Sequence, residues 1–262
     1  GKGACPERGI MLKWLQRPSQ SQQPAPDAAL PEGWFAPQSA EQLLATPLRQ
    51  ASLRQLRQLT PLPDTLFDSW ILTAINRFAA LVQLLPASQS HHHSIPGGLL
   101  DHSLEVACNT IRLRQGYLLP PESGAEEQAR QASAWTVAVV CAALLHDTGK
   151  IAVDMEIHQL DSTRWHPWQG NLAQPYRWQY QSHGRDYHLH PAAGAMLINQ
   201  LIPSPLLDWL TGYPAAFASL IYQLTGHYER AGALTELVHT TAGARPWNRW
   251  SPRSTGPRWA PV

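Results

Sequence analysis

The residues of this chain best suited to chemistry stand together at His146-Asp147-Thr148-Gly149-Lys150, directly after the apolar run Ala138 to Leu145. An imidazole nitrogen beside a carboxylate oxygen suits a hard or borderline divalent cation such as Mn, Mg, Fe, Zn or Ni. Adjacent ligands reach one ion most easily where a helix is ending. Gly149 permits a tight turn. Lys150, the only lysine after Lys13, stands where it can contact an anion held by the ion. The bland alternative is that His146 and Asp147 only cap a buried helix near the negative end of its dipole. That reading suffices for a bare His-Asp pair and leaves Gly149 and Lys150 without a part.

A second stretch, Ser90 to His102, holds the triple histidine His91-His92-His93, a Pro96-Gly97-Gly98 turn and then Leu99-Leu100-Asp101-His102. The spacing predicts a helix from Leu99 to Leu113, with His102, Val106, Asn109 and Leu113 on one stripe. A lone histidine on such a stripe is ordinarily a core residue. Further along, His190 opens an apolar helix through Leu197 and Leu201, and His227 follows a helix predicted over Pro214 to Thr225.

From Val153 to Tyr187 the helical period is lost and aromatic residues crowd among arginines. The alternation Tyr176-Arg177-Trp178-Gln179-Tyr180 predicts a short strand or hairpin inserted in a helical domain. Arg164, Trp165, Trp168, Arg177 and Trp178 are candidates to stack exposed bases and pair with phosphates, the chemistry of single-strand recognition. A mini-core beneath a long loop is the competing reading of the same residues.

These groups need elements to hold them, and at 262 residues the chain can bury a substantial core. Residues 1–32 read as a flexible arm, because Gln16 to Pro31 is rich in Gln, Pro, Ser and Ala and cannot recover the entropy of ordering. Met11-Leu12-Lys13 looks like a natural start, with Gly1 to Ile10 an upstream leader. Leucines recur at helical spacing from Ala40 to Leu59, interrupted by Pro47. This predicts a short helix and then a longer one with a basic face of Arg49, Arg54 and Arg57. Asp64 is expected to cap a helix carrying Phe67, Trp70, Ile71, Ile75, Phe78 and Val82 as far as Leu85. The helix carrying Trp135 and Val139 leads into His146. The fold class expected is mostly α, a helical bundle with a small irregular or β-hairpin insert.

Composition narrows the partners. A net charge of +1 with 15% charged residues gives no global case for nucleic acid, though a local basic groove stays possible. Cys5, Cys108 and Cys141 lack a Cys-x-x-Cys spacing and read as reduced core residues of a cytoplasmic protein. The apolar run Ala134 to Leu145 is short for a membrane span, which takes about 20 residues.

The string apolar-apolar-His-Asp-x-Gly-Lys resembles the signature of the HD superfamily of metal-dependent phosphohydrolases. Joined with the triple histidine ahead of Pro-Gly-Gly-Leu-Leu-Asp-His, and with the Trp-His-Pro-Trp and His-Tyr-Glu segments, it is similar to the N-terminal domain of MobH-class, TraI-like relaxases. Those proteins serve conjugative plasmids and integrative conjugative elements. The resemblance spans roughly Gly33 to Val238, which sets the expected domain at residues 33–239, and it implies an HD fold that nicks one DNA strand at a transfer origin, together with other conjugation proteins. It implies His102, His146 and Asp147 as metal ligands, His190 and His227 as accessory ligands, Lys150 as the group that neutralises phosphate charge, and His91, His92 and His93 as proton carriers or extra ligands. Helicase activity is excluded for this chain, which has no Gly-x-x-x-x-Gly-Lys loop. An HD phosphohydrolase acting on a nucleotide or other small phosphoester, and a degenerate DNA-binding module, are the competing expectations.

One feature departs from the resemblance. HD enzymes usually add a downstream aspartate to the site, yet no Asp follows Asp208. Residues 240–262 read as an irregular basic tail without helical period, crowded with Trp, Pro and Arg. A reading frame translated past a frameshift is the expectation, with Glu236 or Glu229 substituting only in part; a basic DNA-binding extension is the competing reading of the tail.

Overall fold

The computed structural model describes residues 30–90, 93–181, 186 and 188–243. His91, His92, Arg185, Tyr187, Cys5, nearly all of the N-terminal arm and the tail beyond residue 243 lie outside the described residues. The fold is mostly α with a small antiparallel sheet.

Helix α1 (Ala40–Leu44) begins in a reciprocal capping box, with the Ser39 hydroxyl accepting from Gln42 N and the Gln42 side chain accepting from Ser39 N. Pro47 starts helix α2 (Pro47–Leu59), at a position where a missing N–H leaves no bond unmade. The basic face expected on α2 is divided. Arg49 is 6% exposed, its Nε lies 2.7 Å from Oδ1 of Asp101, and its guanidinium also donates to the carbonyls of Leu43 and Gly97. A buried guanidinium needs several acceptors, so Arg49 is a structural clamp that joins α2 to α1 before it and to the segment from Gly97 to Asp101.

Asp64 does not cap its helix. It is the first residue of α3 (Asp64–Leu66), after Pro63, and its carboxylate accepts from Arg57 at 3.1 Å. The expected single helix is α3, a π-helical stretch at Phe67–Leu72 and α4 (Thr73–Val82). Helices α5 (Gly98–Arg114) and α6 (Ala125–Leu145) pack against each other at the centre. From Ala134 to Leu145 every residue of α6 is buried. The helical stretch from Ala125 onward is long and apolar enough to cross a membrane by length and composition, which corrects the expectation drawn from the shorter run. However, 78% of its apolar window is buried inside the fold, as in a core helix. Cys108 and Cys141 are buried free thiols.

After α7 (Lys150–Val153) come β1 (Met155–Gln159), β2 (Arg164–Trp165) and β3 (Tyr176–Tyr180), in sheet order β2-β1-β3. The pairing sets Ile157 opposite both Trp165 and Trp178. The alternation of Tyr176 to Tyr180 is thus a strand as expected, joined by two strands that the sequence reading did not separate. Phe35 and Tyr176 exchange backbone hydrogen bonds of 2.8 and 2.9 Å, which ties the sheet to the start of the domain.

The remainder is helical: α8 (Leu189–Ala195), α9 (Ile198–Leu201), α10 (Ser204–Thr211), α11 (Pro214–Thr225), α12 (Tyr228–Ala231) and α13 (Ala233–Thr241). Helix α11 packs on α6 and α8, and α13 packs on α5 and α6. Helix α13 ends at Thr241, whose Oγ1 meets Thr110 Oγ1 of α5 at 2.5 Å.

Candidate metal centre

The C-terminus of α6 presents His146 as its cap residue. Its Nδ1 lies 2.7 Å from the carbonyl oxygen of Ala143. A carbonyl only accepts, so Nδ1 carries a proton and Nε2 is the nitrogen turned toward the centre. Asp147 Oδ2 stands 3.4 Å from that Nε2 and 3.6 Å from Nε2 of His102, one turn into α5. The three ligand atoms all lie within 4.8 Å of one another. Separations near 3.5 Å are those of atoms sharing one ion at about 2.1 Å, so the two imidazoles and the carboxylate fit a divalent cation.

Two close approaches hold this geometry. Thr148 N and Oγ1 both donate to Leu145 O, at 3.1 and 2.9 Å, and close the turn after α6. Gly149 then abuts the backbone of His190 so closely that a β-carbon would overlap its carbonyl oxygen. On the α5 side, a β-carbon at Gly98 would overlap the carbonyl of His93, which itself accepts from Ala87 N at 2.9 Å. His93 takes φ 62°, a left-handed conformation uncommon for a side-chain-bearing residue. Its Nε2 is 3.0 Å from Glu105 Oε2, and its ring lies 5.4 Å from that of His102, which lies 5.3 Å from that of His146. Among the described residues, His93 of the triple histidine thus adds an imidazole to a row that ends at the candidate ligands.

Electrostatics favour the ligating forms. Burial, followed by the neighbouring charge of His146, lowers the His102 imidazole to about 4, so it is neutral at pH 7. Burial alone would raise the Asp147 carboxyl. The charges of His146 and Lys150 and their hydrogen bonds outweigh it and hold the group well below the usual carboxylate range.

His190 and His227 are not members of this group. His190 is buried behind the turn, its Nε2 2.8 Å from Oδ1 of the equally buried Asp154, so that nitrogen is engaged away from the group. His227 is exposed at the start of α12, its ring edge-on to Tyr222. Of the two substitutes considered for the absent aspartate, Glu236 accepts from the Tyr117 hydroxyl at 2.9 Å and Glu229 is exposed; neither joins the group.

Two residues near the centre are not among the site candidates drawn from the sequence, although Tyr228 lies within the His-Tyr-Glu segment. Tyr228 has its phenol pushed up by burial and then by the charge of Asp147. His239 has its imidazole lowered by burial and then by the charge of His146, and its ring meets Tyr228 edge-on at 4.7 Å. They come from α12 and α13, and only the packing of those helices brings them here.

The insert divides its candidates. Trp165 is 4% exposed, with Nε1 donating to Gly170 O at 3.0 Å, so it is a core residue and offers no face to a base. Trp178 stacks on Phe35 at 4.6 Å, Arg177 lies over Trp34 at 5.0 Å, and Arg164 is 3.4 Å from Glu156. Trp168 is 49% exposed and stacked on His166 at 4.8 Å. The mini-core and an open aromatic platform coexist.

A mostly helical domain whose central helix ends in a His-Asp pair facing a second imidazole is the class defined by this fold and site. The chain belongs to the TraI_2 family, whose model, described as "Putative helicase", matches residues 33–245. A search of the curated proteins finds no match.

Proposed function

We propose that this chain is the metal-dependent phosphodiesterase domain of a cytoplasmic conjugative relaxase, of the MobH class within the HD superfamily, which nicks one DNA strand at a transfer origin. The observation that carries the reading is the convergence of His102, His146 and Asp147 at the end of α6, with Lys150 Nζ 2.6 Å from Asp147 Oδ2. Membership of a TraI-like family supports it. Strand cleavage is preferred to strand separation because the chain has no phosphate loop for a nucleotide.

His102, His146 and Asp147 would hold the ion. When bound, such an ion supplies Lewis acidity toward a phosphodiester oxygen and lowers the pKa of a ligated water or hydroxyl. The Lys150 ammonium, on the same rim, offsets charge on the phosphate. His93, oriented by Glu105 and next in line to His102, is placed to carry a proton. The His166–Trp168 stack on the insert offers a base platform.

The test is relaxation of supercoiled plasmid carrying the transfer origin, with Mn2+ or Mg2+, beside hydrolysis of a nucleotide panel. Nicking by the wild type and not by His146→Ala supports the reading. Hydrolysis of nucleotides without nicking would replace it with a small-phosphoester hydrolase. Origin binding without either activity would leave a DNA-binding module.

A further inference from the structure

Beside the candidate centre, an open groove of about 440 Å³ runs between α2 and α5, with His93 at one end and Arg112 at the other. We infer that this groove seats the base of a nucleotide flanking the cleaved phosphodiester and is read chiefly by Asn109. The inference rests on the strand-cleaving reading above and assigns that site a base-recognition subsite.

Three observations carry it. First, the groove is continuous with the centre: His93 lines it, and the His93 ring is in contact with that of His102. A strand whose phosphate lies at the rim of Asp147 and Lys150 has its next base within reach of such a groove. Second, the charges in the groove nearly cancel. Arg49 is taken by Asp101, which leaves Glu105 against Arg112, and the Arg112 guanidinium itself donates to Gln55. A wall without excess positive charge suits an uncharged base rather than a phosphate. Third, the Asn109 amide faces the groove from α5 with no hydrogen-bond partner among the described residues. A primary amide offers a donor and an acceptor side by side, the pair that meets a base edge, and the Glu105 carboxylate accepts from an exocyclic amine. The volume lies within the range of small-molecule pockets.

The experiment titrates the Mn2+-loaded full chain with short oligodeoxyadenylate, oligodeoxycytidylate and oligodeoxythymidylate, for wild type and Asn109→Ala, and measures bound Mn2+ in both. The wild type is expected to prefer one homopolymer over the weakest by about tenfold, the discrimination a base-edge pair supplies. Asn109→Ala should remove that preference while its affinity for the weakest homopolymer and its Mn2+ content stay at wild-type levels. Ser52→Trp, which fills the groove from α2, should weaken all three. If the wild type binds the three equally, or if Asn109→Ala keeps the wild-type ratios, the groove assignment is overturned while strand binding stands. If the wild type binds none of them, the strand-cleaving reading falls and the groove assignment with it.

Discussion

Nζ of Lys150 lies 2.6 Å from Oδ2 of Asp147, the same oxygen that faces Nε2 of both His146 and His102. The lysine therefore holds the carboxylate in place with its own positive charge at the position a divalent ion would share. This pairing neutralises Asp147; an ion held there would compete with the ammonium for that oxygen and leave Lys150 available to an incoming anion. Lys150→Met is expected to bind Mn2+ at least as tightly as the wild type, because a competing cation is gone, and to lose about a hundredfold in strand cleavage. Calorimetric Mn2+ titration beside a nicking assay checks both halves. A variant that loses metal affinity would show instead that Lys150 organises the ligands.

The His146 and His190 imidazoles should separate ligation from support. His146→Ala and Asp147→Ala are both expected to lose bound metal, and Asp147→Ala should also lose stability because it leaves the Lys150 ammonium without its carboxylate. His190→Ala breaks a buried pair with Asp154 and should cost about 3 kcal/mol in urea denaturation while keeping its metal. Metal content measured on folded protein decides. Loss of metal from His190→Ala equal to that from His146→Ala would make His190 a ligand after all.

The tryptophans of the insert should divide in the same way. Trp168→Ala removes an exposed ring and is expected to weaken single-stranded DNA binding about tenfold with an unchanged melting temperature. Trp165→Ala empties a core position and is expected to destabilise by about 3–5 kcal/mol. Trp178 packs on Phe35, so Trp178→Ala should show mainly the stability loss. DNA affinity at fixed salt, paired with thermal melting, tells these apart; equal DNA affinity for wild type and Trp168→Ala removes the platform.

Acid should destabilise the metal-free protein in two stages. The His102 imidazole titrates at about 4 in the fold against an ordinary 6.5, so the unfolded chain takes up the proton first and stability falls as pH drops through that window. The loss is roughly 3 kcal/mol, complete once pH is below the folded value. Asp147, held below its ordinary value of 3.8, contributes stability above that pH and loses it on further acidification. Denaturation in chelator at pH 7, 5.5 and 4.5 should show the first stage, and His102→Gln should flatten it. Parallel curves for the two proteins would remove His102 as its source.

Much of this was legible in local sequence. The helix over Pro214–Thr225, the strand Tyr176–Tyr180, the start of α2 at Pro47 and the ending of α6 at His146 all follow from periodicity, proline and glycine, which act over a few residues. His146, Asp147 and Lys150 share one turn, so their proximity is a local property as well. His102 is different. Spacing could place it on a helical stripe, but only the packing of α5 on α6 sets its Nε2 3.6 Å from Asp147. Tertiary structure also decided which histidines and tryptophans stand aside: His190 meets Asp154 across α7 and α8, and Trp165 faces the core because pairing with Ile157 turns its side chain inward. Tyr228 and His239 reach the site solely through the docking of α12 and α13. Sequence by itself determined the residue types and the local elements, since backbone preferences and hydrophobic period extend over one or two turns. Which side chains share one site was decided by long-range burial, where each helix finds the face that covers it.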